Sequence, residues 1–201
     1  MGMRRVTPLL LLLAVSFAFS SDAAYAAFEF STAPKLPTLT AVTLNGKSQT
    51  VNSTMANFAV IDTRGTKSGW NVTAIGQSGT GKSAVFAQYC PKATCGSDPE
   101  GYVTGGQKMA ASSLILNSTG AKFSGGTGTA PTLQCAAGCK LDSAAAVKVA
   151  SAATGGAGET TWTTTGFSAT SLALAVATTL RALKNEEVYR VNILWTLSTG
   201  P

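Results

Sequence analysis

Hydrophobic and polar positions alternate with a period of two along several stretches of this chain, most clearly near its end. In residues 189–201, Tyr189, Val191, Ile193, Trp195 and Leu197 fall on one side. Arg190, Asn192 and Thr196 fall on the other, with Leu194 the one apolar residue out of step. Such alternation in β-branched and aromatic residues predicts a half-buried strand. Between Asn57 and Ile75, two shorter alternating runs flank a polar, glycine-containing loop, which predicts a hairpin. Within it Trp70, Val72 and Ala74 share one face and Asn71 and Thr73 the other. Thr40–Leu44 alternates into Asn45-Gly46, a turn pair that tolerates positive φ, and a return strand is expected over Ser48–Val51. Residues 27–37 read as an extended lead-in punctuated by Pro34 and Pro37.

Further strands are expected at Thr160–Thr165 and Leu172–Val176, and short ones at Ala84–Tyr89 and Leu114–Leu116. Leu180 and Leu183, three apart, suggest a short helix over Thr179–Glu187. Ala144–Ala153 fits helix by its alanines and strand by the spacing of Ala145, Val147, Val149 and Ser151. From Gly76 to Gly138 the pattern is weak and crowded with turn residues.

Two of these segments resemble a known family. Asp62-Thr-Arg-Gly-Thr-Lys-Ser-Gly-Trp-Asn-Val72 and the closing Leu194-Trp-Thr-Leu-Ser-Thr-Gly-Pro201 are similar to the two halves of the WxL domain, a surface module of Gram-positive bacteria. Trp195 and Leu197 match the family's C-terminal Trp-x-Leu. Trp70 and Val72 match the earlier one, with Val72 in place of the usual Leu, and Asp62, Arg64 and Gly65 match the Asp-x-Arg-Gly before it. The resemblance covers roughly 38–75 and 145–201 and is thin over 76–142. It implies an all-β, non-enzymatic domain attached to the cell wall without a covalent link, and it tips 144–153 toward strand. The expected fold is a single β-sandwich-like domain over 27–201 whose loops are pinned by disulfides.

The N-terminus changes the compartment. Arg4 and Arg5, the apolar Leu9–Phe19 and the Ala24-Tyr25-Ala26 site form a cleavable export signal over residues 1–26. The apolar stretch is too short for a comfortable membrane span, so none is expected in the mature chain. Charged residues make up only 12% of the sequence. Without Arg4, Arg5 and Asp22 of the signal, 13 basic and 8 acidic residues remain, a net +5 that suits either ordinary solubility or an anionic surface such as a wall carrying phosphate polymers. No basic run with interleaved aromatics points to nucleic acid. Four cysteines, Cys90, Cys95, Cys135 and Cys139, in an exported chain read as disulfides. Three pairings are open, with the local loops 90–95 and 135–139 favoured over crossed bridges. An oxidising compartment argues against a zinc site made of the same thiolates.

Candidate chemistry is sparse. Gly76-Gln-Ser-Gly-Thr-Gly-Lys82-Ser83 satisfies the P-loop pattern, but only a short run precedes Cys90-Pro91, too little for the helix that a phosphate site needs. Histidine is absent, which removes the commonest general base and the usual catalytic zinc ligands. Neither a catalytic residue nor a cofactor is expected. Trp70 and Trp195 admit two readings, an exposed platform for stacking on sugars or a pair of core side chains, and their register with aliphatic residues favours the core. The expected function is non-covalent binding of peptidoglycan or an associated wall polymer by a secreted surface protein. The alternative is an interaction subunit docking another surface protein through an open sheet edge.

Overall fold

A computed structural model describes residues 26–92, 95–96, 98–184 and 186–201. The export signal thus lies, apart from Ala26, outside the described residues. Every regular element among the described residues is a β-strand. The first half holds β1 (Phe28–Thr32), β2 (Gln49–Ser53), β3 (Ala59–Asp62), β4 (Trp70–Gly76), β5 (Ala87–Cys90) and β6 (Gly101–Tyr102). Then follow β7 (Leu114–Leu116), β8 (Lys122–Thr127), β9 (Thr132–Leu133), β10 (Cys139–Lys140) and β11 (Val147–Ala152). The last are β12 (Glu159–Thr165), β13 (Leu172–Val176), β14 (Val188–Arg190) and β15 (Ile193–Thr199).

The strands form four antiparallel sheets, ordered β1-β3-β12-β8, β10-β7-β13-β2, β15-β4-β11-β9 and β14-β5-β6, in a sandwich-like packing. Period-two burial explains why these segments are strands. In β4, Trp70, Val72 and Ala74 are buried and Asn71, Thr73 and Ile75 only partly so. In β13, Leu172, Leu174 and Val176 are buried. Their inner faces meet in one core with Phe58, Val60, Leu114, Leu116, Phe123 and Val149. Most polar groups caught inside are paired, as burial demands, Asn71 Oδ1 and Trp162 Nε1 being buried without a partner. Thr164 Oγ1 accepts from Phe58 N at 2.8 Å and donates to Phe58 O at 3.0 Å. Ser171 Oγ accepts from Met55 N at 2.8 Å.

Several expectations are corrected by strand pairing. The segment 57–75 is no hairpin: β3 is flanked by β1 and β12, and β4 by β15 and β11, so both edges of each strand are taken. The polar residues 63–69 instead carry the chain from one sheet to another. The terminal stretch is two strands. Val188–Arg190 pairs with β5, and Ile193–Thr199 pairs with β4. Asn192 holds the corner between them. Its N–H donates to Ser83 O at 2.8 Å, its carbonyl accepts from Gln77 N at 2.8 Å, and its Oδ1 accepts from Tyr102 Oη at 2.6 Å. Tyr189, Val191, Ile193, Trp195 and Leu197 all pack against the core, so one alternating pattern spans both strands although the sheet changes. Asn45-Gly46 does turn, with Gly46 at φ +72°, but Thr40–Leu44 joins no ladder and only the return strand forms, as β2. Residues described between Thr179 and Glu187 are not helical; a turn at Leu180 N–Ala177 O and the bond from Tyr189 Oη to Arg181 O (2.8 Å) shape them instead.

Both disulfides are local, Cys90–Cys95 and Cys135–Cys139, with Cα separations of 5.8 and 5.0 Å. They pin loops in the weakly patterned middle, where the strands are short. Closing so few residues restricts the unfolded chain little, and each bridge stabilises by about 2 kcal/mol. Replacing Cys90 and Cys95 by Ser should therefore lower the melting temperature by about 4–8 °C and leave the β-sheet circular dichroism unchanged. Loss of the sheet signal would show that the bridge, rather than long-range strand pairing, holds the fold.

Candidate functional site

The two tryptophan motifs lie side by side. β4 and β15 pair without a bulge, placing Leu197 opposite Val72, Trp195 opposite Ala74 and Thr199 opposite Trp70. Opposed residues share a face, so Trp70, Val72, Trp195 and Leu197 all point toward the core. Trp70 is 0% exposed. Its indole N–H donates to Gly158 O at 3.1 Å, and Phe123 meets the ring edge-on at 5.8 Å. Small neighbours make that seat. β11 brings Ala150 opposite Val72 and Ala152 opposite Trp70, and a Cβ on Gly158 would come within 2.5 Å of the indole nitrogen. Trp70 therefore offers no face for stacking on a ligand. Trp195 and Leu197 pack on the same core but stay half-buried, because β15 has a neighbour on one side only.

Asp62, Arg64 and Gly65 form the start of the crossover into β4. Arg64 Nε and Nη2 donate to Asp62 Oδ1 and Oδ2, both at 2.8 Å, and Arg64 N reaches Oδ1 at 3.2 Å. The guanidinium lies 3.5 Å from the centroid of the Phe28 ring. Asp62 is 6% exposed, and its hydrogen bond from the Arg64 side chain holds its carboxyl below the usual aspartate range, against the opposing effect of burial. The fork is thus spent within the protein, locking β1, β3 and the crossover together. Gly65 adopts φ +66°, which favours glycine as the chain turns away.

The P-loop pattern builds no phosphate cradle. After Gly76 the chain makes a tight turn, Lys82 N to Gly79 O at 3.0 Å, and continues into β5 without a helix. The amides of Gly76 and Gln77 are bonded to Ser143 O and Asn192 O, and that of Ser83 to Asn192 Oδ1. Among the described residues no group of three or more His, Cys, Asp or Glu could hold a metal. An apolar groove of about 1200 Å³ lies between residues 36–44 and 180–191, over Leu114, Leu172, Leu174 and Val176. Its floor is aliphatic, while Thr38, Thr40, Arg181, Glu187 and Arg190 bring polar groups to its walls.

The sequence did not single out Asp142. Its side chain is 0% exposed and accepts from Ser113 N at 2.9 Å and Leu114 N at 2.8 Å, tying the start of β7 to the 141–143 turn. Burial raises its carboxyl above the ordinary value, and the two N–H donors partly offset this. An aspartate between Leu141 and Ser143 carries no period that would mark it as buried.

A family model described as WxL domain, surface cell wall-binding, matches residues 6–201. The chain belongs to the WxL domain family. No curated protein and no solved structure is significantly similar to it. As a WxL domain it is a non-catalytic, secreted protein of the cell surface that binds the cell wall. The match runs through residues 76–142 as well as through the two motif segments.

Two outcomes test how the motifs work. Trp70→Ala should cost about 3–5 kcal/mol in urea unfolding, and Trp195→Ala clearly less, since its side chain is already half in water. Asp62→Asn should destabilise the domain at neutral pH. Because the folded pKa of Asp62 lies below its unfolded reference of 3.8, its contribution is present above that reference and is lost as pH falls through the folded value. The difference in melting temperature between wild type and Asp62→Asn should begin to narrow below about pH 4 and close only once pH is below the folded pKa. A difference independent of pH would mean the carboxylate charge plays no part.

Proposed function

We propose that this WxL domain holds to the wall non-covalently through peptidoglycan or an associated anionic polymer. The observation carrying this reading is the distribution of charge. Two ion pairs form among the described residues, the Asp62–Arg64 fork and an exposed Lys92–Glu186 contact at 3.4 Å. Lys67, Lys82, Lys122, Lys140 and Lys148 are exposed and belong to neither pair. A surface of hydroxyls and unneutralised ammonium groups suits a polyhydroxylated, phosphate-bearing polymer. The tryptophan motifs support binding indirectly, by holding the sheet that carries Lys148 on β11.

The test is co-sedimentation of the purified protein with protein-free sacculi, native and stripped of anionic polymer, across a salt series. The expected result is binding to native sacculi that weakens as salt rises but survives physiological ionic strength, where exposed charges are screened beyond ~8 Å. Retention on stripped sacculi would assign peptidoglycan as the ligand; its loss would assign the anionic polymer. Binding abolished at moderate salt, or absent throughout, would overturn the proposal.

A further inference from the structure

One edge of the sheet that carries both motifs is open. β15 ends the order β15-β4-β11-β9. The direction of its backbone groups follows from the bonds that flank it. Gln77 N donates to Asn192 O at 2.8 Å and Gly200 N to Gly69 O at 3.2 Å, both in register with the ladder between. In an antiparallel pair the bonded residues alternate. Leu194, Thr196 and Ser198 therefore spend their N–H and C=O groups on β4, and those of Ile193, Trp195, Leu197 and Thr199 point away from it. No described residue bonds to them there.

Natural sheets guard such edges with charges, prolines, bulges or a covering segment. β15 reads Ile-Leu-Trp-Thr-Leu-Ser-Thr, with no charged residue and no proline, and its register against β4 shows no shift. Leu194, on the outer face, is 43% exposed.

We propose that this edge pairs with the same edge of a second copy, antiparallel about a two-fold axis through Thr196. The strand is self-complementary in that register. Groups that point outward are all at odd-numbered residues, and a two-fold axis at Thr196 sets odd against odd: Trp195 of each copy faces Leu197 of the other, and Ile193 faces Thr199. An aromatic–aliphatic pair then forms twice on the core side, covering side chains that a lone copy leaves half in water. On the outer face Leu194 opposes Ser198 and Thr196 opposes itself. Because the strand carries no charge, self-pairing brings no like charges together, which is the condition a two-fold interface must meet. The four-stranded sheet becomes continuous across the two copies. Contact along one edge buries little area, so the dimer is weak and concentration-dependent. The inference is independent of which wall component is bound.

The experiment is sedimentation velocity of the full mature protein over a rising concentration series, for wild type, Thr196→Lys, Thr196→Asp and an equimolar mixture of the two variants. Thr196 is exposed, so circular dichroism should show both variants folded. Wild type should shift from monomer toward dimer. Each variant alone should associate about tenfold more weakly or less, because like charges meet at the axis, and the mixture should recover dimer. Thr199→Pro, which removes only an outward N–H, provides a second block that leaves the β4 ladder intact. A wild type that stays monomeric at every concentration overturns the proposal. So does a dimer that persists unchanged in Thr196→Lys and Thr199→Pro, and so does an edge that is occupied only by a different protein.

Discussion

The seat of the Trp70 indole is the constraint on which this sheet depends. A side chain of that size can be fully buried in a central strand only if its neighbours are small, and here they are: Ala152 beside it, Ala150 two pairs along, and Gly158 beneath its nitrogen. The one polar atom of the ring is satisfied by the Gly158 carbonyl, so burial leaves no unpaired donor and the hydrophobic gain is kept. Once the ring is fixed, β4 is fixed, and both of its neighbours take their register from it.

The same reasoning separates the two motifs that sequence alone treats as equivalent. Trp70-x-Val72 sits in a strand flanked on both sides, and Trp195-x-Leu197 in one flanked on a single side. A branched, compact valine suits the crowded position opposite Leu197. The second motif keeps part of its apolar surface in solvent. In this domain the first signature pair is scaffold, buried within the sheet, and the second stays partly open at its edge.

Strands with one deeply buried face were legible from the sequence, because burial imposes the period that reveals them. Leu114–Leu116 and Leu172–Val176 are strands at the residues expected. Choice of partner was not legible, because alternation tells which face a residue is on and not which strand lies beside it. That is why the run from Asn57 to Ile75 reads as a hairpin and folds as a crossover. Thr40–Leu44 alternates but gains no ladder, and it walls an apolar groove instead. At the motifs, the register that turns Trp70 and Trp195 toward the core could be read in advance, and their lying on paired strands, one sealed and one half-buried, could not. Asp142 and Asn192 escaped notice for another reason: their work is to bond backbone groups at corners, and that need exists only once the chain has folded around them.

The order of strands in the sheets also sets a timetable. β2 has its ladder with β13, β3 lies between β1 and β12, and β4 lies between β11 and β15. The early strands thus acquire most of their neighbours only when the late ones arrive. Loop closure over such separations is slow and must precede any gain from pairing. During synthesis and passage across a membrane, the first half of this chain has little to fold against, and its β-prone segments stay unpaired. The ladder between the two tryptophan motifs can close only once the last strand is in place.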